Sequence, residues 1–253
     1  MVYLLGASLH RRRSESVFCP EAPTAQHVNG FYLLILIPSF NGKEQYEWQD
    51  QIEQRCSHLF SVTTIVLKTA TFTEWVAKGH PFAHAVLESA PLIYTDNGIS
   101  FAAPSEPNPD LIAKANQECY QAAVKRANAF LAGAQLFTLR KEYPMATFML
   151  HQAAEQSLQS LLKIGTGYHS YTHNLERLLR YGGMVSYELP DVFVSSQEKD
   201  CQLLKLLQKA HSDTRYGTDY KITAEQLNGL TEKVNQILKI SIQFVSSKLS
   251  NKV

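Results

Sequence analysis

The stretch from Tyr143 to Lys163, YPMATFMLHQAAEQSLQSLLK, decides how the second half of the chain folds. Proline is tolerated in a first helical turn, where its missing N–H has no partner to lose, and Pro144 sits at such a start. Behind it Phe148, Met149, Ala153, Leu158, Leu161 and Leu162 recur at helical spacing, which predicts one long helix with a single core face. Gly165-Thr166-Gly167 stops it. Upstream, Asp110 to Lys141 carries a broad apolar stripe from Leu111 through Ala115, Cys119, Ala122 and Ala127 to Phe137. Downstream, Thr172 is a candidate N-cap for a short helix over Asn174 to Tyr181. The leucines of Ser196 to Ala210 predict another helix, and Thr223 to Ser246 a last one, with Ser241 the polar member of its stripe. Four long helices and one short one predict an antiparallel all-α bundle.

Before residue 100 the texture differs. Short β-branched and aromatic runs at Val2–Leu5, Phe31–Ile37, Val62–Leu67 and Pro91–Tyr94 have strand length. Lys43 to Phe60, with Tyr46, Ile52 and Leu59, reads as a helix, and so does Thr71 to Ser89, broken at Gly79-His80-Pro81. Strand and helix in alternation predict a small, mostly parallel or mixed sheet with helices packed on it. Arg11 to Asn29 reads as a long loop. Prolines 104, 107 and 109 mark the boundary, giving an α+β chain of two domains, 1–103 and 104–253.

Lys and Arg number 24 against 23 acidic residues, a net charge of +1, so bulk charge gives no argument for a dedicated nucleic-acid binder. The four cysteines, at 19, 56, 119 and 201, lack zinc-like spacing and read as free thiols. The apolar start turns basic only at Arg11-Arg12-Arg13, the reverse of a signal peptide, and the longest apolar run, Phe31–Pro38, is too short to span a bilayer. The expectation is a cytoplasmic protein with no membrane partner.

Nucleotide chemistry on a sheet needs either phosphate-cradling glycines or carboxylates that hold a metal pair. Gly6-Ala7-Ser8 follows the first run, but no glycine-rich phosphate loop occurs, and the runs at 31–37 and 62–67 contain no acid. Around these elements the N-terminal half resembles a minimal nucleotidyltransferase domain of the DNA polymerase beta superfamily. That family carries a Gly-Ser after the first strand and metal-binding aspartates on later strands. The resemblance implies a degenerate nucleotidyltransferase-like domain without metal or transferase activity.

The helical half resembles the HEPN domain, a nucleotide-binding helical family of higher eukaryotes and prokaryotes. The likeness rests on the Tyr143-Pro144 start followed by Gln152-Ala-Ala-Glu155, on Tyr171-Thr-His-Asn-Leu175, and on Asp213-Thr-Arg-Tyr216 with Tyr220. It implies self-association, here a homodimer through the helical domain, and a nucleotide or RNA as ligand. Many members are metal-independent ribonucleases with Arg followed after four to six residues by His, and Arg215 has no such His downstream. The leading expectation is therefore a noncatalytic nucleotide- or RNA-binding regulatory protein, with no catalytic residue, metal or cofactor. The alternative is a ribonuclease of toxin-antitoxin or phage-defence type with a degenerate motif.

The candidate nucleotide-binding residues are Gln152, Glu155, His173, Arg215, Tyr216 and Tyr220. Gln152 and Glu155 share a helix face and suit either a buried hydrogen-bond network or a ligand. His173 suits a cap or interhelical hydrogen bond as well as a catalytic base. Arg215 offers a phosphate fork, or a salt bridge to Glu155, and the two tyrosines offer rings for base stacking. A solitary His151 or His169 is more commonly solvated or capped.

Overall fold

The computed structural model describes residues 1–9, 13–16, 28–96, 100–193, 197–216 and 220–250, with side chains left undescribed at 9, 13–16, 29 and 214–216. Cys19, Arg11, Arg12 and Ser196 lie outside the described residues, as does the side chain of Arg13. Two compact units result, one comprising Met1–Ile112, Thr166–Tyr168 and Gly183–Tyr187, the other Ala113–Gly165, His169–Gly182 and Glu188–Val253.

The first unit is built on a mixed sheet. Its strands are β1 (Val2–Leu9), β2 (Arg13–Ser16), β3 (Val28–Ile37), β4 (Ser61–Lys68) and β5 (Leu92–Tyr94), in the order β2-β1-β3-β4 with β5 also paired to β1. β1 runs antiparallel to β2, β3 and β5, whereas β3 and β4 are parallel and in register from Gly30↔Ser61 to Ile37↔Lys68. That parallel pair needs a crossover, supplied by α1 (Gln45–Cys56). Gly30 is required where the two strands meet, because a Cβ there would lie 2.7 Å from the Ser61 carbonyl oxygen. Along β3 Tyr32, Leu34 and Leu36 are buried while the alternate residues are half-exposed, the period of two that a one-sided sheet dictates. α2 (Thr69–Ala77) and α3 (Pro81–Ser89) add Phe72, Val76, Phe82 and Val86 to this core.

Three expectations fail here. The predicted loop from Arg11 to Asn29 contains β2, a strand of mostly polar residues held by its ladder to β1 rather than by an apolar pattern. Gly6-Ala7-Ser8 does not follow the first strand. It lies inside β1, with Ala7 opposite both Glu15 and Phe31, so its backbone groups serve the sheet and not a phosphate. On α1, Tyr46 is exposed and Leu59 lies beyond the helix, also exposed. α1 docks instead through polar contacts: Gln49 Nε2 donates to the Thr64 carbonyl, and Glu53 accepts from the Thr64 amide and hydroxyl.

The second unit takes in most of α4 (Pro109–Leu139) and α5 (Tyr143–Thr166), with α6 (Leu175–Gly182), α7 (Glu198–Tyr216) and α8 (Ala224–Ser250). Most of the predicted core face of α5 is buried, with Ala153, Leu158, Leu161 and Leu162 at 1% exposure or less, while Phe148 and Met149 are only half-buried. α4 is leaner than its stripe suggests. Only Ala123, Ala127 and Ala134 are buried, and Leu111 and Ala122 are exposed, with Ala115 also in solvent. On α8 Leu227, Leu230, Val234, Ile237 and Val245 are buried, and Ser241 with them. The N-cap of α6 is Asn174 rather than Thr172: Asn174 Oδ1 accepts the Arg177 amide, while Thr172 Oγ1 only accepts the Asn174 amide. α7 runs six residues past its last predicted position, Ala210, and so brings His211 onto a helix.

Candidate functional site

Three segments of the helical unit meet around one buried carboxylate. Glu155 stands on α5 at 2% exposure. Its Oε1 lies 3.0 Å from His173 Nδ1, and its Oε2 lies 3.6 Å from His151 Nδ1, one helical turn earlier. His173 comes from the link between α5 and α6, and His211 from α7. The His211 ring stacks on His173 with centroids 4.8 Å apart and planes 16° apart, and it tilts against His151 at 5.0 Å.

The surrounding amides fix this arrangement. Gln159 Nε2 reaches both Glu155 Oε1 (3.4 Å) and the Thr172 carbonyl (3.2 Å), tying the link to α5. Gln152 Nε2 bridges His151 Nδ1 (3.3 Å) and Glu155 Oε2 (3.5 Å). From the other side Gln208 on α7 donates to the His173 carbonyl (3.2 Å) and accepts the Leu175 amide (2.6 Å). α7 therefore supplies His211 and positions His173 as well.

The three imidazoles differ in environment. His151 is fully buried, and its Nε2 has no partner in hydrogen-bonding geometry among the described residues. Burial pushes its pKa down to about 3, reinforced by the charge of His211 and His173 and offset in part by the His173 backbone. Desolvation dominates, and the ring is neutral at pH 7. His173 is 59% exposed while its carboxylate partner is buried, so one face of the pair meets solvent.

Beside this cluster a cleft of about 550 Å³ opens between α6 and α7. Arg180, Lys205 and Lys209 line it against a single acid, Glu176, and Phe193 supplies an aromatic wall. Gln208 lines it too, so the residue that fixes His173 is also a cleft residue. Lys205 and Lys209 are exposed and one turn apart on α7. The Phe193 wall is braced from α8, where Lys233 pairs with buried Asp200 (2.7 Å), donates to the Val192 carbonyl, and lies 5.8 Å from the Phe193 ring centre.

Of the residues singled out from sequence, Gln152, Glu155 and His173 come together. Tyr220 does not stand free to stack. Its hydroxyl donates to the Leu206 carbonyl, and desolvation raises its pKa to about 12, with the Thr147 hydroxyl opposing that shift and Asp213 adding to it. Arg215 and Tyr216 end α7, with side chains outside the described residues. His169 is exposed, edge-on to Tyr171 at 4.4 Å, and takes no part in the cluster. His151, expected at a surface or a cap, is instead at 0% exposure, because it shares the inner face of α5 with Glu155. His211, Gln159, Gln208 and the cleft cations escape the sequence reading. The one-turn spacings of His151, Glu155 and Gln159 and of Lys205 and Lys209 are the local signals.

The family model for the HEPN domain matches residues 120–245, a span from α4 to α8 that contains the cluster and the cleft. The helical half carries a HEPN domain. No curated protein matches the chain. Among the described residues, no helix is long and apolar enough to cross a membrane.

Proposed function

We propose that the HEPN half binds a nucleotide or a short single-stranded RNA through its phosphates in the α6–α7 cleft, and that the chain is a regulatory binding protein. The observation that carries this reading is the cleft itself. Its volume suits a nucleotide, and Arg180, Lys205 and Lys209 face it against one carboxylate. Local charge succeeds here where the net charge of +1 is silent. Phe193 offers a ring on which a base can stack. HEPN domains often bind RNA and form dimers, which favours a homodimer through the helical half. In the same proposal residues 1–103 are a nucleotidyltransferase-like domain without chemistry, in keeping with the acid-free β3 and the glycine held in the β1 ladder. Calorimetric titration with ATP and GTP, with fluorescence anisotropy of a labelled RNA, tests the ligand. Absence of binding at about 1 mM ligand rejects it.

The Glu155–His173 contact favours a second reading, a metal-independent ribonuclease. With its Nδ1 proton directed to Glu155, the exposed imidazole keeps Nε2 as a general base for a 2′-hydroxyl, and the proton it takes can then pass to the leaving oxygen. RNA cleavage with a chelator present, abolished in His173→Ala, supports this reading. Cleavage that survives substitution of both His173 and Arg215 removes it.

A further inference from the structure

We infer that Glu155, His173 and His211 form a binding site for a divalent first-row transition metal ion, with zinc as the reference case. One donor atom from each of the three residues lies within 4.8 Å of the others. Two imidazoles and one carboxylate are a donor set that suits zinc and its neighbours rather than magnesium or calcium, which prefer oxygen. In a tetrahedral zinc site adjacent donors stand about 3.3 Å apart. Glu155 Oε1 and His173 Nδ1 are already at 3.0 Å, so that edge has only to widen by a few tenths of an ångström. His211, stacked on His173 with its donor atom within 4.8 Å of the others, has to turn its ring to close the third corner.

A second observation points the same way. Glu155 is a carboxylate at 2% exposure with no lysine or arginine partner among the described residues, and apart from His173 its polar contacts are long. A buried carboxylate needs a nearby positive charge. A metal dication held by Glu155 and the two neighbouring imidazoles supplies it. Neighbouring amide side chains also position two of the three ligands. Gln159 holds Glu155, and Gln208 holds the His173 backbone. With three protein donors the ion keeps open positions toward solvent on the His173 side.

Metal binding is read directly and needs neither the cleft nor a nucleotide. It does compete with the ribonuclease reading for the Glu155–His173 contact. The test uses the full chain stripped with a chelator and titrated with Zn²⁺ by calorimetry and with Co²⁺ by visible absorption. The expected result is one ion per chain, with a cobalt spectrum of nitrogen and oxygen ligation. His173→Ala, at an exposed position, is expected to weaken binding by about 100-fold with its far-UV circular dichroism unchanged. His211→Ala is expected to do the same, while His58→Ala and His84→Ala do not. Retention of stoichiometric binding in a His173→Ala/His211→Ala double variant, or no stoichiometric ion in the wild type, overturns the assignment.

Discussion

Taking the protein from pH 7 to pH 4 puts a proton on His151 in the unfolded chain but not in the folded one. The unfolded imidazole titrates near about 6.5, whereas burial holds the folded one down at about 3. The group therefore binds more protons unfolded than folded throughout that interval, and stability must fall as the pH falls through it. The loss begins near the unfolded pKa and levels off only below the folded one. At pH 4 the unfolded ring is about 2.5 pH units below its pKa and the folded ring is still mostly neutral, which costs about 3 kcal/mol at about 1.4 kcal/mol per unit. That is a large part of the stability of an ordinary domain. His151→Gln, similar in size and without a titrating group, removes this component. Urea unfolding followed by circular dichroism at stepped pH, with chelator present, should show the wild type losing about 3 kcal/mol more than the variant between pH 7 and pH 4. Ring proton and carbon NMR shifts give a direct check. A His151 signal titrating near pH 6.5, or parallel stability losses in the two proteins, would mean that burial does not hold the folded ring neutral.

Substituting both Lys205 and Lys209 by alanine should weaken RNA binding and lower the slope of log K against log salt by about 1.4, since each phosphate that is no longer neutralised accounts for about 0.7; an unchanged slope places the phosphates elsewhere. Gln208→Ala removes two of the hydrogen bonds that hold the link carrying His173, and thermal melts should report a loss of about 1–2 kcal/mol. Asp200→Ala leaves the Lys233 ammonium, only 23% exposed, without its carboxylate. Denaturant titration should show a loss of about 3 kcal/mol, and an effect under about 1 kcal/mol means that the pair is solvated. Gly30→Ala forces a methyl group against the Ser61 carbonyl and should destabilise the sheet unit by about 1–3 kcal/mol in the same measurement.

The elements that sequence discloses most clearly are those whose apolar residues sit on one face. β3 alternates and α5 repeats every three to four residues, and each buries most of the face its pattern marks, with Phe148 and Met149 on α5 half-buried. Where polar contacts hold an element, the pattern misleads. β2 is a polar ladder partner, and α1 meets β4 through Gln49 and Glu53 while its Tyr46 is exposed. A stripe of alanines is also ambiguous, since small side chains lose little by remaining in water. Ala115 and Ala122 do so, while Ala123 and Ala127 are buried.

The site shows why a local reading reaches only half of it. Glu155 and Gln152 share one helix face and are legible together, but Glu155, His173 and His211 are separated by 18 and 38 residues, and no periodicity joins them. His211 escapes for a related reason. The leucine pattern of α7 ends at Ala210, so hydrophobicity alone stops the helix there. The helix continues, and its first added residue stacks on His173 and against His151, gaining from ring contacts the tertiary support that an apolar stripe would otherwise give. The overrun of α7 and the assembly of the cluster are then one event. A substitution that removes the His211 ring should loosen the last turn and a half of α7 as well as empty a corner of the site. Amide hydrogen exchange along residues 208–213 separates this from the view that His211 is only carried along by the helix: faster exchange in His211→Ala follows from coupling, and unchanged exchange from a helix that stands without it.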